Sequence, residues 1–206
     1  MKKTRKFLVG TLLIFTGLAH THFASAGIID PAVNNSGCCG FGSRGYWFQT
    51  PVDFTLDSVW LNTSSGLSTS YNLEILEFSS APPQYPGATT SYSTLASFSN
   101  LSGALGVNLS FSANDFIGIL AWDNNLELTP YSAEFSQNID GNSITLERLL
   151  RQSLILGGEV SAESGGPIGA IGFSYNSSTT PVPEPATLVL LALGLAGLGW
   201  SRRKKA

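Results

Sequence analysis

The chain has 206 residues, with 14 acidic and 11 basic side chains and a formal charge of −3. The basic residues crowd the two ends: Lys2, Lys3, Arg5 and Lys6 at the start, Arg202, Arg203, Lys204 and Lys205 at the finish, and only Arg44, Arg148 and Arg151 between. Setting 14 acids against those 3 arginines gives −11 for the part between, a charge that repels nucleic acid.

Both histidines, His20 and His22, lie near the start, so Gly27 to Asn176 holds neither His nor Lys. That excludes His-dependent triads, histidine zinc sites and Schiff-base lysines. No cofactor and no enzymatic activity are expected.

Residues 1–26 read as a signal peptide. The basic start is followed by an apolar run from Phe7 to Ala19 and by the small residues Ala24, Ser25 and Ala26. The A-x-A of Ala24 and Ala26 suits a peptidase pocket that admits only small side chains. Signal peptidase is therefore the expected partner, with cleavage after Ala26 and Gly27 as the first mature residue.

Cys38 and Cys39 are adjacent within a Gly-rich segment. In an exported protein three states stay open: a strained disulfide between the neighbours, links to other chains, or free thiols.

Residues 27–176 show no sustained helical period. Short alternating stretches are separated by Ser, Asn, Gly and Pro, the rhythm of an all-β domain. Strands are predicted at 44–49, 54–61, 71–78, 92–98, 105–111, 116–122, 143–149 and 168–175. Tyr92, Thr94, Ala96 and Phe98 fall on one strand face, as do Leu105, Val107, Leu109 and Phe111. The segment from Leu105 to Trp122 reads as two strands joined by a turn at Ala113-Asn114-Asp115.

The expected architecture is an antiparallel β-sandwich, jelly-roll-like, with a closed barrel as the alternative. The run Gly45-Tyr46-Trp47-Phe48, followed by Thr50-Pro51, is loosely similar to the opening of exported bacterial β-sandwich domains. The loop from Ala81 to Gly87 reads as the most exposed insertion.

Candidate chemistry in this region is sparse. Tyr46 and Tyr85, beside Gly and Pro, are the candidate sugar-stacking rings, whereas Trp60 and Trp122 read as core. The acid pairs Asp53 with Asp57 and Glu74 with Glu77 have the residue type for glycoside hydrolysis. On strands such acids belong on a solvated face. Asp123, Asn124, Asn125 and Glu127 supply oxygen ligands without the full calcium-loop pattern, so a turn is preferred and no metal is expected.

Residues 177–185 turn to Ser, Thr and Pro and end on Pro183-Glu184-Pro185. Residues 186–201 are almost wholly apolar, and 202–206 are basic. The apolar stretch of about 15 residues spans about 22 Å as a helix, against about 30 Å of hydrocarbon, a short transmembrane helix. Arg202, Arg203, Lys204 and Lys205 stop transfer on the cytoplasmic side.

The order of proline-rich motif, apolar helix and basic cluster resembles the PEP-CTERM sorting domain. That resemblance implies recognition by an exosortase, cleavage near Pro183-Glu184-Pro185, and a Gram-negative host making exopolysaccharide. The expected protein is exported, briefly held in the membrane by its C-terminal helix, and delivered to the cell surface or the exopolysaccharide matrix. A structural or adhesive role is expected there. A lectin-like module binding exopolysaccharide is the alternative, and a carboxylate-dependent hydrolase stands behind both.

Peptide mass spectrometry of the surface form should find Gly27 at the N-terminus. Recovery of peptides containing Lys2 to Phe7 would show instead that the leader is retained.

Overall fold

The computed structural model describes residues 24–34, 42–153 and 157–178. In chain order the strands are β1 (Ala24–Ile29), β2 (Arg44–Gln49), β3 (Phe54–Thr63), β4 (Gly66–Leu67), β5 (Tyr71–Phe78), β6 (Ser93–Leu101), β7 (Leu105–Phe111) and β8 (Phe116–Asp123). They continue with β9 (Tyr131–Ser132), β10 (Ser136–Ile139), β11 (Asn142–Thr145), β12 (Glu147–Leu150), β13 (Ser161–Glu163), β14 (Ile168–Gly169) and β15 (Ile171–Ser178). No helix occurs among the described residues, and the all-β reading holds.

Two antiparallel sheets dominate. One has the order β1-β15-β3-β4, with β7 also paired to β3; the other runs β13-β12-β2-β8-β5-β6. They are layered because alternate residues from both enter one core. Leu56, Val59, Phe173 and Tyr175 come from the first sheet, and Tyr46, Phe48, Leu73, Ile75, Ile117 and Ile119 from the second. Phe173 lies at the junction. It stacks on Phe48 of the facing sheet at 6.0 Å between ring centroids and on Phe54 of its own sheet at 6.4 Å. Tyr46 and Tyr71 place phenols in this core, and each donates to a backbone carbonyl, that of Ile171 at 2.8 Å and that of Gly103 at 2.7 Å. Burial raises both phenol pKa values, that of Tyr71 to about 12, so both groups stay protonated as donors.

The six-stranded sheet is buried on both faces. Its side away from the main core carries a second cluster of Trp47, Leu76, Phe78, Leu120, Leu149, Val160 and Ala162. Chain folded back along the β13 edge completes this layer. Pro83 and Tyr85 exchange backbone hydrogen bonds with Ala162, and Thr89 exchanges a reciprocal pair with Val160. The expected exposed loop at 81–87 thus spends its backbone donors on covering a sheet edge, which protects the edge from pairing with other chains.

Four strand expectations coincide with β2, β5, β7 and, one residue short, β8. Two are corrected. The predicted strand 143–149 divides at Leu146, whose amide donates to Phe135 O, so β11 pairs with β10 while β12 joins the large sheet. The predicted strand 168–175 divides at Ala170, whose amide donates to Pro130 O, sending β14 to β9 and β15 to β3.

The shared face assigned to Tyr92 and Phe98 is also corrected. The β5–β6 register shifts between Ile75 and Leu76, so Ala96 pairs with Ile75 but Thr94 pairs with Leu76. The extra residue turns Phe98 to the main core and Tyr92 to the second. The turn at Ala113-Asn114-Asp115 joins β7 and β8 in different sheets rather than closing a hairpin. Asn114 takes φ 75° there, and the carboxylate of Asp115 accepts the amide of Ser112 at 2.7 Å.

Phe173→Ala should cost about 3–5 kcal/mol, the usual range for deleting a fully buried ring. Because Phe173 contacts both sheets, urea unfolding followed by circular dichroism and by tryptophan fluorescence should shift to one common lower midpoint. Separate midpoints would show that the sheets do not share a core.

Candidate functional site

On the second face of the six-stranded sheet, register fixes a row of side chains. Trp47 on β2 lies opposite Gly118 of β8 on one side and Glu147 of β12 on the other, and Gln49 lies opposite Phe116. Gly118 leaves room at the centre of that row, since a Cβ there would stand 2.7 Å from Leu149 and 2.8 Å from Phe78. The Trp47 and Phe116 rings lie 6.1 Å apart, inclined at 40°. Beside them opens a groove of about 400 Å³ lined by Trp47, Gln49, Asn114, Phe116, Ser143 and Glu147 among others. A second hollow of about 360 Å³ shares Asn114 and Phe116 and adds Glu77 and Asp115. Neither is lined by a cation.

The same sheet carries a densely bonded polar group centred on Glu74 and Arg151. Glu74 and Arg151 are 3% and 1% exposed and form a hydrogen-bonded ion pair. Arg151 also donates Nε to Gly158 O at 3.2 Å and Nη2 to Tyr92 Oη at 3.1 Å. Tyr92 Oη donates to Gly158 O at 2.7 Å, and Glu74 Oε1 accepts the Gly157 amide at 3.3 Å. The network ties β5, the end of β12, the start of β6 and the segment at 157–158 into one unit. Arg148 pairs with Glu163 at 3.0 Å and lies over the Tyr131 ring at 5.2 Å. Arg44 donates to the carbonyls of Ser43 and Arg151, and burial lowers its pKa from the ordinary arginine value.

The acid pairs named from sequence do not form dyads. Glu74 belongs to Arg151 on the second face, while Glu77, an odd number of positions along β5, lines the hollow at the strand end. Asp53 accepts the Ala113 amide at 2.7 Å, and Asp57 accepts the Ser174 hydroxyl at 3.4 Å. Asp123 is buried, and its Oδ1 accepts the amides of Asn125 and Leu126, each at 2.8 Å, so this loop is a side-chain-capped turn. Among the described residues no three His, Cys, Asp or Glu side chains cluster to hold a metal.

Tyr46 is corrected as a sugar contact. Its ring is fully buried because β2 points it into the main core. Tyr85 is 56% exposed, beside Pro86, and lines neither hollow described above. Trp122 is buried as expected, but Trp60 is not core: it lies half-buried outside the five-stranded sheet, over Gly172, and donates Nε1 to Asp30 at 2.9 Å.

Ala24, Ala26 and Gly27 fall in β1, pairing with Ser178, Asn176 and Tyr175. Cys38 and Cys39 lie outside the described residues, as do Pro183, Glu184, Pro185 and the cluster Arg202, Arg203, Lys204 and Lys205. The same holds for the apolar helix expected at 186–201.

The last described strand, β15, ends at Ser178. The family model of the PEP-CTERM protein-sorting motif matches residues 181–204. The chain carries a PEP-CTERM sorting signal. The match begins at Pro181 and contains Pro183-Glu184-Pro185, so two residues separate the signal from the folded β domain. A PEP-CTERM signal marks an exported protein directed to an exosortase and sorted to the cell envelope or surface. No curated protein and no solved structure matches the chain.

Glu74→Gln or Arg151→Met alone should cost about 3–5 kcal/mol, because each strands a buried charge or donor set. The double variant should lose less than the sum of the two, measured by urea unfolding. Additive losses would show that the two side chains act independently.

Proposed function

We propose that this PEP-CTERM protein is a non-enzymatic component of the cell surface or the exopolysaccharide matrix, with a structural or adhesive role. The observation carrying this reading is the direct junction of a compact β domain to the sorting signal: β15 ends at Ser178 and the signal starts at 181. In this reading signal peptidase removes residues 1–26, the helix at 186–201 holds the chain in the membrane for a time, and exosortase cuts near Pro183-Glu184-Pro185.

A jelly-roll arrangement of the sandwich belongs to the same proposal. It is supported by the strand orders β1-β15-β3-β7 and β2-β8-β5-β6, in which successive main strands alternate between the sheets except at the β5–β6 pair. The non-enzymatic reading is supported by how the acids are used, with Glu74 neutralised by Arg151 and Asp53, Asp115 and Asp123 each accepting backbone amides.

A lectin-like reading has its own observation. Half-buried Phe116, packed against the buried Trp47 ring, lies beside Gln49, Asn114 and Glu147 in an open groove without cations, a lining suited to one stacking contact and to hydrogen bonding with sugar hydroxyls.

Replacing Glu184 with Ala, or Pro183, Glu184 and Pro185 together with Ala, should leave export intact and accumulate an uncut, membrane-bound form. Loss of the exosortase should give the same accumulation. Unchanged cleavage and release in both cases would reduce the tail to a plain anchor.

A further inference from the structure

At Gly27 any side chain would displace the Tyr175 ring. A Cβ built there would stand 2.3 Å from both Cζ and Oη of Tyr175, so the phenol lies directly against the Gly27 backbone. The same phenol oxygen accepts the amide of Asp140 at 3.4 Å. The backbone amide of Asp140 and the backbone of Gly27 therefore flank one phenol oxygen. Burial raises the Tyr175 pKa, the hydrogen bond from the Asp140 amide works against it, and the charge of Asp140 adds to it.

Asp140 is held there by a tight turn. Asp140 and Gly141 take φ 51° and 80°, positive at both central residues, the geometry of a two-residue type I′ hairpin between β10 and β11. Asn138 Oδ1 fixes the turn by accepting the Gly141 amide at 2.7 Å. One oxygen of the Asp140 carboxylate, Oδ2, is buried and has no hydrogen-bond partner. A buried carboxylate oxygen without a donor is costly. In the unprocessed chain the Gly27 nitrogen is an uncharged amide inside β1.

We propose that leader removal completes this site: the new α-ammonium of Gly27 pairs with the Asp140 carboxylate and locks the mature N-terminus against Tyr175. The inference rests on the export reading above, with cleavage after Ala26. Hydrolysis adds one water across the Ala26–Gly27 amide, leaves a carboxylate on Ala26, and frees the Gly27 nitrogen as a primary amine that takes up a proton. An α-amine with a pKa near 7.7–8.0 is mostly charged at pH 7. Gly27, Ile28 and Ile29 keep their pairing with Tyr175, Ser174 and Phe173. Asn176 and Ser177 keep β3 as a neighbour, while Ser178 loses its β1 partner. Processing at the N-terminus thereby anchors the start of the domain and frees the residue three positions before the sorting signal.

The test uses full-length protein exported and recovered from cells, as wild type and as Asp140→Asn, a residue that also suits positive φ. Native samples are labelled at pH 7 with an acetylating succinimidyl ester, digested and read by mass spectrometry. Because Gly27 to Asn176 contains no lysine, Gly27 supplies the one primary amine of that region. An opposing charge that raises the amine pKa by about one unit slows its labelling about tenfold. Gly27 in the Asp140→Asn protein should therefore label about tenfold faster than in wild type, with equal rates once both are unfolded in urea. Asp140→Gly, which fits the same backbone angle, should behave alike. Equal native rates would overturn the pairing, and a mature chain starting elsewhere would overturn it at the cleavage step. The C-terminal peptides of the same digest report sorting separately, so failure of the sorting reading is distinguishable from failure of the lock.

Discussion

The ion pair between Glu74 and Arg151 is the interaction on which the second layer of this domain depends. A sheet with one wet face needs only alternating residues, but the six-stranded sheet buries both sides. Covering the second side requires chain from 79–92 and 157–160, segments rich in Ser, Gly and Pro that bring little apolar surface of their own. Arg151 supplies what they lack. It satisfies the Gly158 carbonyl, the Tyr92 hydroxyl and the Glu74 carboxylate at once. Desolvating two charges costs several kcal/mol, and such a pair offsets that cost only when its remaining donors and acceptors are filled, as they are here. The other arginines are filled less completely, since Nε of Arg44 and Nε of Arg148 are buried without a hydrogen-bond partner. The three guanidinium groups between the basic ends lie buried or nearly so, leaving an outer surface whose charge is acidic.

Where one strand face is wet and the other buried, the sequence is read correctly from its period alone. Leu105, Val107, Leu109 and Phe111 on β7 are the clear case. The bounds of β2 and β5 were legible for another reason, since Thr50-Pro51 and Ser79-Ser80 punctuate them. What pattern could not show was pairing at long range. The opposition of Trp47 to Glu147 spans 100 positions, so the groove they line has no local signature. Tyr46 was misplaced because Gly45 beside it signals a loop, whereas the glycine serves a close backbone approach. A Cβ on Gly45 would stand 1.7 Å from Ile119 O. Glu74 left a trace in Leu73-Glu74-Ile75-Leu76, an acid inside an apolar run, which is the pattern of a buried and partnered charge rather than a solvated face.

The two ends of the chain carry the information about destination, and the domain between them brings those ends together. β1 and β15 are antiparallel neighbours, so Ala26 at the expected cleavage site lies opposite Asn176, five residues before the sorting signal begins. The described strand ends nearest the expected leader and the sorting signal therefore lie side by side on neighbouring strands. The covered β13 edge belongs to the other sheet and pairs with neither terminal strand. This division matches a protein whose address is written in short linear signals and whose body supplies a stable, acidic surface.

The most direct test of the account is the intact mass of the protein recovered from the cell surface or matrix of cells with a functional exosortase. The account predicts a species beginning at Gly27 and ending close to Pro183-Glu184-Pro185, lacking the apolar helix and the cluster from Arg202 to Lys205. A surface species whose mass extends through Ala206 would contradict it, because the tail would then anchor the domain without sorting it.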